Sequence, residues 1–299
     1  MPTGMYLAIG LNHVDTGSPA FDRLTAPPPP LRGCVSDATA IADLLDSRGF
    51  RRLALLTNEK ATRAAVLGAL DTAANQLSSD DLFVLHYSGH GMSGSVSSAG
   101  GIDPNSDHTS SWILFDQPFS DGELFQTWGA FKQGVRILVI SDSCHSESAI
   151  EGAIGKGVTL NDGTTCRVRG LDLETRKEVL TNNKAYFAKD AEIKERLRGS
   201  ASAPSAAILL LSGCRDDEES IDLTDPQGVS HGLFTSTLLD ILNGGFVQDY
   251  VQFHQQVAQA TKERSGQLDP PRNQNPKFFP LGSPLDVVIF SHSSPPFTI

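Results

Sequence analysis

The hydrophobic positions of this chain fall into short continuous runs, separated by segments with helical spacing. The runs predict strands, at residues 5–11, 53–57, 82–87, 135–140, 206–211 and 285–290. Between them, apolar residues recur three and four positions apart, which predicts helices at residues 34–48, 62–77, 120–131, 233–242 and 250–264. Alternating strands and helices form a parallel sheet, and continuous apolar runs are typical of strands buried on both sides. The expected fold class is α/β, with a mostly parallel six-stranded sheet flanked by helices on both faces.

Residues 145–205 interrupt this alternation. They carry no long apolar run, and their spacing predicts one short helix, at residues 189–198. Structureless segments longer than about 12–15 residues are uncommon in compact domains unless they are functional. We expect a single domain, residues 1–299, with residues 1–144 as its first part, residues 145–205 as a linker and residues 206–299 as its second part. The linker is rich in basic residues: Lys156, Arg167, Arg169, Arg176, Lys177, Lys184, Lys189, Lys194, Arg196 and Arg198.

The composition is that of a globular protein with an acidic balance. Its 299 residues include 24 Lys and Arg against 35 Asp and Glu, a formal net charge of −11. This charge argues against nucleic acid as the main partner and mildly favours cationic peptides. The longest apolar run, residues 206–211, is far short of the roughly 20 residues of a membrane span, and the N-terminus lacks signal-peptide character. The four widely spaced cysteines predict reduced thiols, so we expect a cytoplasmic protein with no membrane partner.

Two predicted strands end abruptly at a reactive side chain. One run leads into Ser88-Gly89-His90-Gly91 and another into Ser141-Asp142-Ser143-Cys144. The carboxyl ends of neighbouring parallel strands meet at one edge of a sheet, so adjacent strands would bring His90 and Cys144 together. A thiolate is a nucleophile, and an imidazole can take its proton and return it to a leaving amine. The pair therefore favours a thiol hydrolase, although each residue alone is also typical of an ordinary turn or a small core position.

The glycines beside His90 fit a catalytic turn. Gly89 and Gly91 let the backbone turn sharply and approach a ligand closely. The amide N–H of Gly91, together with that of Cys144, is expected to bind the oxyanion that forms during acyl transfer. His145 follows Cys144 directly and points to the opposite side of an extended segment, so we do not expect it to act as the base.

The two strand ends and two further motifs together carry a resemblance. The strand ends read Tyr87-Ser88-Gly89-His90-Gly91 and Asp142-Ser143-Cys144-His145-Ser146. The others are Leu31-Arg32-Gly33-Cys34-Val35-Ser36-Asp37-Ala38 and Leu211-Ser212-Gly213-Cys214-Arg215-Asp216-Asp217-Glu218-Glu219-Ser220. In this order, over residues 5–290, they resemble the motifs of metacaspases and their bacterial relatives, which are caspase-like cysteine peptidases. The cysteine context is not the Gln-Ala-Cys type of animal caspases, so specificity for Asp is not carried over.

The resemblance implies a pocket for basic residues. Asp142 lies two residues before Cys144, so on an extended segment both side chains point the same way. A carboxylate there disfavours the thiolate unless a cation balances it. In metacaspases the residues that match Asp37 and Asp142 line the pocket for the residue before the cut. The resemblance thus implies cleavage after Arg or Lys, with Cys34 and Ser88 as walls, and bidentate contact would favour Arg.

Each aspartate also has a plainer interpretation. Asp37 is equally typical of a negative charge that stabilises the first turn of a helix. Asp142 is equally typical of a hydrogen-bond acceptor at the end of a strand. The sequence alone does not separate these roles from the pocket.

Calcium and self-cleavage are further implications of the resemblance. Many metacaspases are activated by calcium, and Asp121 and Glu151 fall where ligands would lie. Gly122 stands where the family often has a second aspartate, and calcium takes roughly 6–8 oxygen ligands, so a solvated acidic patch explains these residues equally well. No cofactor is needed for the chemistry. The linker stands where caspase relatives are cut on activation, which predicts that the enzyme cuts itself between Lys156 and Arg198.

Two other classes of function remain compatible with the sequence. A catalytically inactive interaction module has the same fold, although the presence of both His90 and Cys144 argues against it. A different thiol hydrolase or acyltransferase would use the same dyad, although small acyl substrates need no paired carboxylates. The expected function is a monomeric cysteine endopeptidase that cuts proteins or peptides after Arg and, less readily, after Lys.

Overall fold

The computed structural model describes residues 1–97, 99–106, 109–144, 157–199, 204–215, 218–293 and 295–299. The strands, in chain order, are β1 (Gly4–Gly10), β2 (Arg51–Thr57), β3 (Leu82–Ser88), β4 (Gly91–Ser93), β5 (Ser95–Val96), β6 (Ile102–Asp103), β7 (Ser110–Ile113), β8 (Pro118–Ser120), β9 (Arg136–Asp142), β10 (Val158–Thr159), β11 (Thr165–Val168), β12 (Ala207–Ser212), β13 (Ile221–Thr224), β14 (Ser230–Gly232) and β15 (Lys277–Leu281). The helices are α1 (Cys34–Ser47), α2 (Arg63–Gln76), α3 (Asp121–Trp128), α4 (Leu173–Asn182), α5 (Lys184–Gly199), α6 (Leu233–Asn243), α7 (Tyr250–Gly266) and α8 (Pro284–His292), with a 3₁₀ turn at Asn58–Lys60. Across the described ranges, none of these helices is long and apolar enough to cross a membrane.

Six strands form the central sheet, in the order β15-β12-β9-β3-β1-β2. Neighbouring strands are parallel except β15, which runs antiparallel to β12. The predicted mostly parallel six-stranded sheet is confirmed. Successive residues of a strand point to opposite faces, and in β1 Leu7 and Ile9 enter one apolar core while Tyr6 and Ala8 enter the other. Because both faces are buried, the strand reads as a continuous apolar run.

Helices cover the sheet on both sides, as predicted. On one side α2 and α3 contribute buried residues that include Leu70 and Trp128. On the other side α1, α7 and α8 contribute Ile41, Phe253 and Phe290. Fully burying one such large apolar side chain stabilises a fold by roughly 1.5–3 kcal/mol. The two cores hold the strands, and therefore the strand ends, in fixed positions.

The predicted last strand, at residues 285–290, is wrong, because this segment lies in helix α8 (Pro284–His292). Proline suits the first turn of a helix, and the buried residues Val287, Phe290 and Ser291 have helical spacing. The sixth strand is instead β15, at the edge of the sheet. It contains Pro280, which lacks an N–H and is tolerated at a sheet edge, and its alternation is too weak to predict from sequence.

The linker is more ordered than its sequence suggests. Its described part contains β10, β11, α4 and α5, and the helix predicted at residues 189–198 lies within α5. Three apolar residues of α4 and α5 are buried in a separate core: Val179, Leu180 and Phe187. Residues 145–156 lie outside the described ranges. Strand β11 is paired antiparallel with β13 inside a four-stranded sheet. This pairing places Arg169, the residue that follows β11, at the carboxyl edge of the central sheet.

Candidate active site

The two strand ends predicted to meet do lie side by side. Strands β3 and β9 are parallel neighbours, and their last residues, Ser88 and Asp142, are partners in the register. His90 and Cys144 therefore emerge at the same edge of the sheet, and both are buried. This placement follows from the apolar runs, which fix the strands, and from the glycines that end β3.

The side chain of Arg169 fills an acidic pocket at this edge. Its guanidinium is fully buried and contacts three carboxylates: Asp37 at 2.7 Å, Asp142 at 3.0 Å and Asp222 at 2.9 Å. It also donates a hydrogen bond of 2.7 Å to the hydroxyl of Ser88. Burial of a charge is costly unless it is paired, so the three acidic partners allow the Arg169 guanidinium to be buried here.

Backbone and hydroxyl donors hold each carboxylate in place. The N–H of Gly232 donates to both oxygens of Asp37 at 3.0 and 3.1 Å. Asp142 accepts from the N–H and the hydroxyl of Thr235, at 3.1 and 2.6 Å, and from the hydroxyl of Ser220. Gly232 is the N-cap of α6 and Thr235 lies in its first turn, where free N–H groups and the helix dipole favour negative charge. The pocket is thus preorganised for a cation.

The two predicted pocket aspartates differ in acidity. Contact with Arg169, together with the His231 and Gly232 hydrogen bonds, outweighs burial and lowers the pKa of Asp37. Burial, reinforced by the nearby charge of Asp37, raises the pKa of Asp142 despite its contact with Arg169. Of these two aspartates, Asp142 therefore depends more on a bound cation to remain ionised.

The backbone of Arg169 is also held by hydrogen bonds. Its N–H donates to the carbonyl of Ser220 at 3.0 Å, and its carbonyl oxygen accepts from the N–H groups of Gly91 at 3.0 Å and Cys144 at 3.2 Å. These are the two N–H groups expected from sequence to bind an oxyanion. Two convergent backbone donors on one carbonyl oxygen are the arrangement that stabilises a tetrahedral intermediate.

The sulfur and the imidazole are not hydrogen-bonded to each other here. The Cys144 sulfur accepts a hydrogen bond of 2.6 Å from the N–H of Ser220. Nε2 of His90 lies 2.6 Å from the carbonyl oxygen of Pro29, to which it donates, while Nδ1 is buried with no hydrogen-bond partner. Burial lowers the pKa of His90. A neutral imidazole with an open Nδ1 is able to accept a proton.

The remaining predicted pocket residue, Cys34, also lies at the pocket. Its thiol is fully buried beside Ser88 and Arg169, and burial raises its pKa. The structure thus brings Asp37, Asp142, Cys34 and Ser88 around one guanidinium.

The candidate calcium ligands are not assembled among the described residues. Asp121 is paired with Lys194, and a Cβ on Gly122 would lie 2.3 Å from Asp190, so the second aspartate of the family has no room. Glu151 lies outside the described ranges. Within those ranges, no cluster of three or more His, Cys, Asp or Glu residues is placed to hold a metal. The described residues therefore form no assembled calcium site.

The roles of three residues in the site were not predicted from the sequence. Asp222 is the third pocket carboxylate, Ser220 holds both Cys144 and the Arg169 backbone, and Arg169 occupies the pocket. Asp222 follows the motif at residues 211–220 by two positions, a signal that could have marked it. His231 lies at the pocket rim, with Nδ1 3.4 Å from Asp37.

The chain is similar to known proteins of one family. The chain matches the family model described as the caspase domain over residues 7–280. It is 25% identical over 257 residues to Metacaspase-9 of Arabidopsis thaliana, an alignment that covers 71% of this chain and 78% of that protein. It is also 25% identical over 248 residues to Metacaspase-1 of Mycosarcoma maydis, covering 71% of this chain and 58% of that protein.

Two solved structures extend the comparison. Protein GSU0716 from Geobacter sulfurreducens has 30% identity and a TM-score of 0.71, with 100% of this chain and 99% of that chain covered. Caspase-1 from Spodoptera frugiperda has 12% identity and a TM-score of 0.50, with 93% and 86% covered. The second similarity is one of fold alone.

Proposed function

The chain belongs to the caspase-domain family of cysteine-type peptidases, and we propose that it is an endopeptidase that cuts after Arg and, less readily, after Lys. The observation that carries this proposal is the position of Arg169. Its guanidinium lies among three carboxylates, and its carbonyl oxygen lies on the N–H groups of Gly91 and Cys144. A substrate residue before a cut needs both contacts at once.

The shape of the pocket supports an order of preference. One terminal guanidinium nitrogen of Arg169 contacts Ser88 and Asp142, and the other terminal nitrogen contacts Asp37 and Asp222. A planar guanidinium satisfies all four partners, whereas the point charge of a Lys ammonium does not span them. An Asp side chain would add a fourth negative charge, which like-charge repulsion excludes.

The chemistry would proceed through Cys144 and His90. The sulfur leaves the Ser220 N–H, gives its proton to the imidazole and attacks the carbonyl carbon of the bound Arg. The N–H groups of Gly91 and Cys144 hold the negative charge on the oxygen. His90 then donates the proton to the leaving amine, and water releases the product from the sulfur. These steps need no metal ion, and a single copy of the chain is sufficient for them.

The pH profile offers a test of the base. Since burial lowers the pKa of His90 below the usual 6.5, the imidazole stays neutral, and able to accept a proton, to lower pH than an exposed histidine. We expect the acid limb of kcat/KM for an Arg peptide to lie below pH 6.5. A midpoint above pH 7 would contradict this role. His231→Gln serves as the control, because the limb should remain when the rim histidine no longer titrates.

Specificity is tested with fluorogenic peptides that differ only in the residue before the cut. We expect wild-type kcat/KM to fall in the order Arg, Lys, Asp, with Arg exceeding Asp by at least about 10³-fold, because the pocket charges oppose an anion. Preferential cleavage after Asp would overturn the proposal. Hydrolysis of none of the peptides would favour the inactive interaction module instead.

A further inference from the structure

We propose that Arg169–Gly170 is the first bond that the enzyme cuts in its own chain, and that residues 166–169 display the side chains its site accepts in other proteins. This inference rests on the proposed function. It narrows the self-cleavage expected between Lys156 and Arg198 to one bond, and it adds two specificity positions, the second and the fourth residues before the cut, besides the pocket for Arg.

The backbone around this bond is held as a bound substrate strand would be. Before the bond, Cys166 pairs with Leu223 and Val168 pairs with Ile221 in an antiparallel ladder. At the bond, Arg169 is hydrogen-bonded on both its N–H and its carbonyl. After the bond, Gly170 forms a bridge with Gly91. Adding an extended segment to the edge of a strand is a general mode of peptide recognition.

Alternate side chains of the docked strand lie in different surroundings. Val168 is buried against Cys144 and Cys214, and Cys166 is buried in an apolar cluster with Ile221 and Leu233. The position between them is less demanding, because Arg167 is only partly buried. Its surroundings are unfavourable to a cation, since burial and the nearby charge of Arg32 lower the pKa of Arg167.

These surroundings define the substrate class. Counted back from the cut, the first residue is Arg and the second is a small β-branched apolar residue. The fourth is a small apolar residue. The third position accepts many side chains. A charged residue at the second or fourth position would lose its hydration in an apolar site, which is costly.

The self-cleavage step balances without any added reagent except water. The Cys144 sulfur bonds to the carbonyl carbon of Arg169 while the proton of its thiol passes to His90. The carbon–nitrogen bond to Gly170 then breaks, and the Gly170 nitrogen takes the proton as a new amino terminus. Water adds to the thioester, which restores the thiol and leaves Arg169 with a carboxylate.

The docked strand, residues 166–169, also regulates the enzyme. While the strand is uncut, its Arg169 occupies the pocket and its carbonyl occupies the oxyanion site, so another substrate must compete with a tethered one. Tethered ligands act at effective concentrations that reach millimolar. Cutting the bond removes the tether on one side and lets the strand leave, so we expect peptide hydrolysis to rise as self-cleavage proceeds.

Intact-mass measurements on the purified full chain test the cut. Wild type should yield two fragments, residues 1–169 and 170–299, while Cys144→Ala stays whole. Lys177→Ala, which removes an exposed basic residue of the same linker, should be cut like wild type. Arg169→Ala should not be cut at this bond, and Arg169→Lys should be cut more slowly. If Arg169→Ala does not fold, the wild-type fragments and Arg169→Lys still decide the question.

The outcomes separate this inference from the proposed function. A cut elsewhere in the linker with Arg169–Gly170 intact, or no cut while Arg peptides are hydrolysed, would overturn the inference and leave the endopeptidase standing. Failure to hydrolyse any Arg peptide would overturn both.

Four peptides then test the subsites, starting from Ala-Arg-Val-Arg, in which Ala replaces the oxidisable Cys. Asp in place of Val, or Lys in place of the first Ala, should lower kcat/KM by at least about 10-fold. Ala in place of the first Arg should change it by less than about threefold. Equal rates for all four peptides would contradict the subsite assignment.

Discussion

Replacing Asp142 by asparagine is expected to lower kcat/KM for Arg peptides by roughly 10²–10³-fold. The substitution keeps the size of the side chain and removes the charge that lies 3.0 Å from the bound guanidinium. Removing one partner of a buried ion pair costs about 3–5 kcal/mol, and each 1.36 kcal/mol is about tenfold in rate. Because Asp37 and Asp222 still attract the cation, we expect the loss to fall toward the lower end of this range.

The matched control is Asp240→Asn, on the helix whose first turn faces the pocket. Asp240 is 60% exposed and paired with Arg264, and surface pairs contribute about 0–1 kcal/mol. This variant should hydrolyse Arg peptides at close to the wild-type rate. If Asp142→Asn stays within about threefold of wild type while both proteins are folded, the acidic pocket does not determine specificity.

Replacing Cys144 by alanine is expected to abolish hydrolysis, with a loss of at least about 10⁴-fold, the scale seen when a covalent nucleophile is removed. Cys144→Ser should be nearly as inactive, because a hydroxyl is far less ionised than a thiol at neutral pH. The Ser220 N–H still has an acceptor in that variant. Activity of either variant above about 1% of wild type would show that another group attacks the substrate.

Both variants must fold for this result to be informative. The side chain of Cys144 is buried against Val168 and Cys214, so its truncation to alanine should cost on the order of 1 kcal/mol. Unfolding temperatures within a few degrees of wild type, measured together with activity, would show that chemistry rather than the fold was lost.

The sequence was sufficient to predict five of the six strands of the central sheet and the reactive residues at its carboxyl edge. Strands β1, β3 and β9 are apolar on both faces, so their runs are unambiguous, and the reactive side chains follow them directly. The motif around Asp37 could be placed by resemblance. These are local signals, which need no knowledge of long-range pairing.

The parts that could not be predicted depend on contacts between distant residues. Nothing near Arg169 in the sequence marks it among the ten basic residues of the linker. It becomes special because β11 pairs with β13 and places it in a pocket built from Asp37, Asp142 and Asp222. Helix α8 was mistaken for a strand because its apolar run is short and periodicity alone does not separate the two.

The central claim is that the acidic pocket selects a positively charged side chain on the residue whose carbonyl carbon Cys144 attacks. Its most direct test is the ratio of kcat/KM for two peptides that differ only in Arg or citrulline before the cut, since citrulline keeps the shape and lacks the charge. We predict that the Arg peptide is hydrolysed at least about 10²-fold faster, because three buried carboxylates would face a neutral group. Equal hydrolysis of the two peptides by the folded enzyme would contradict the account.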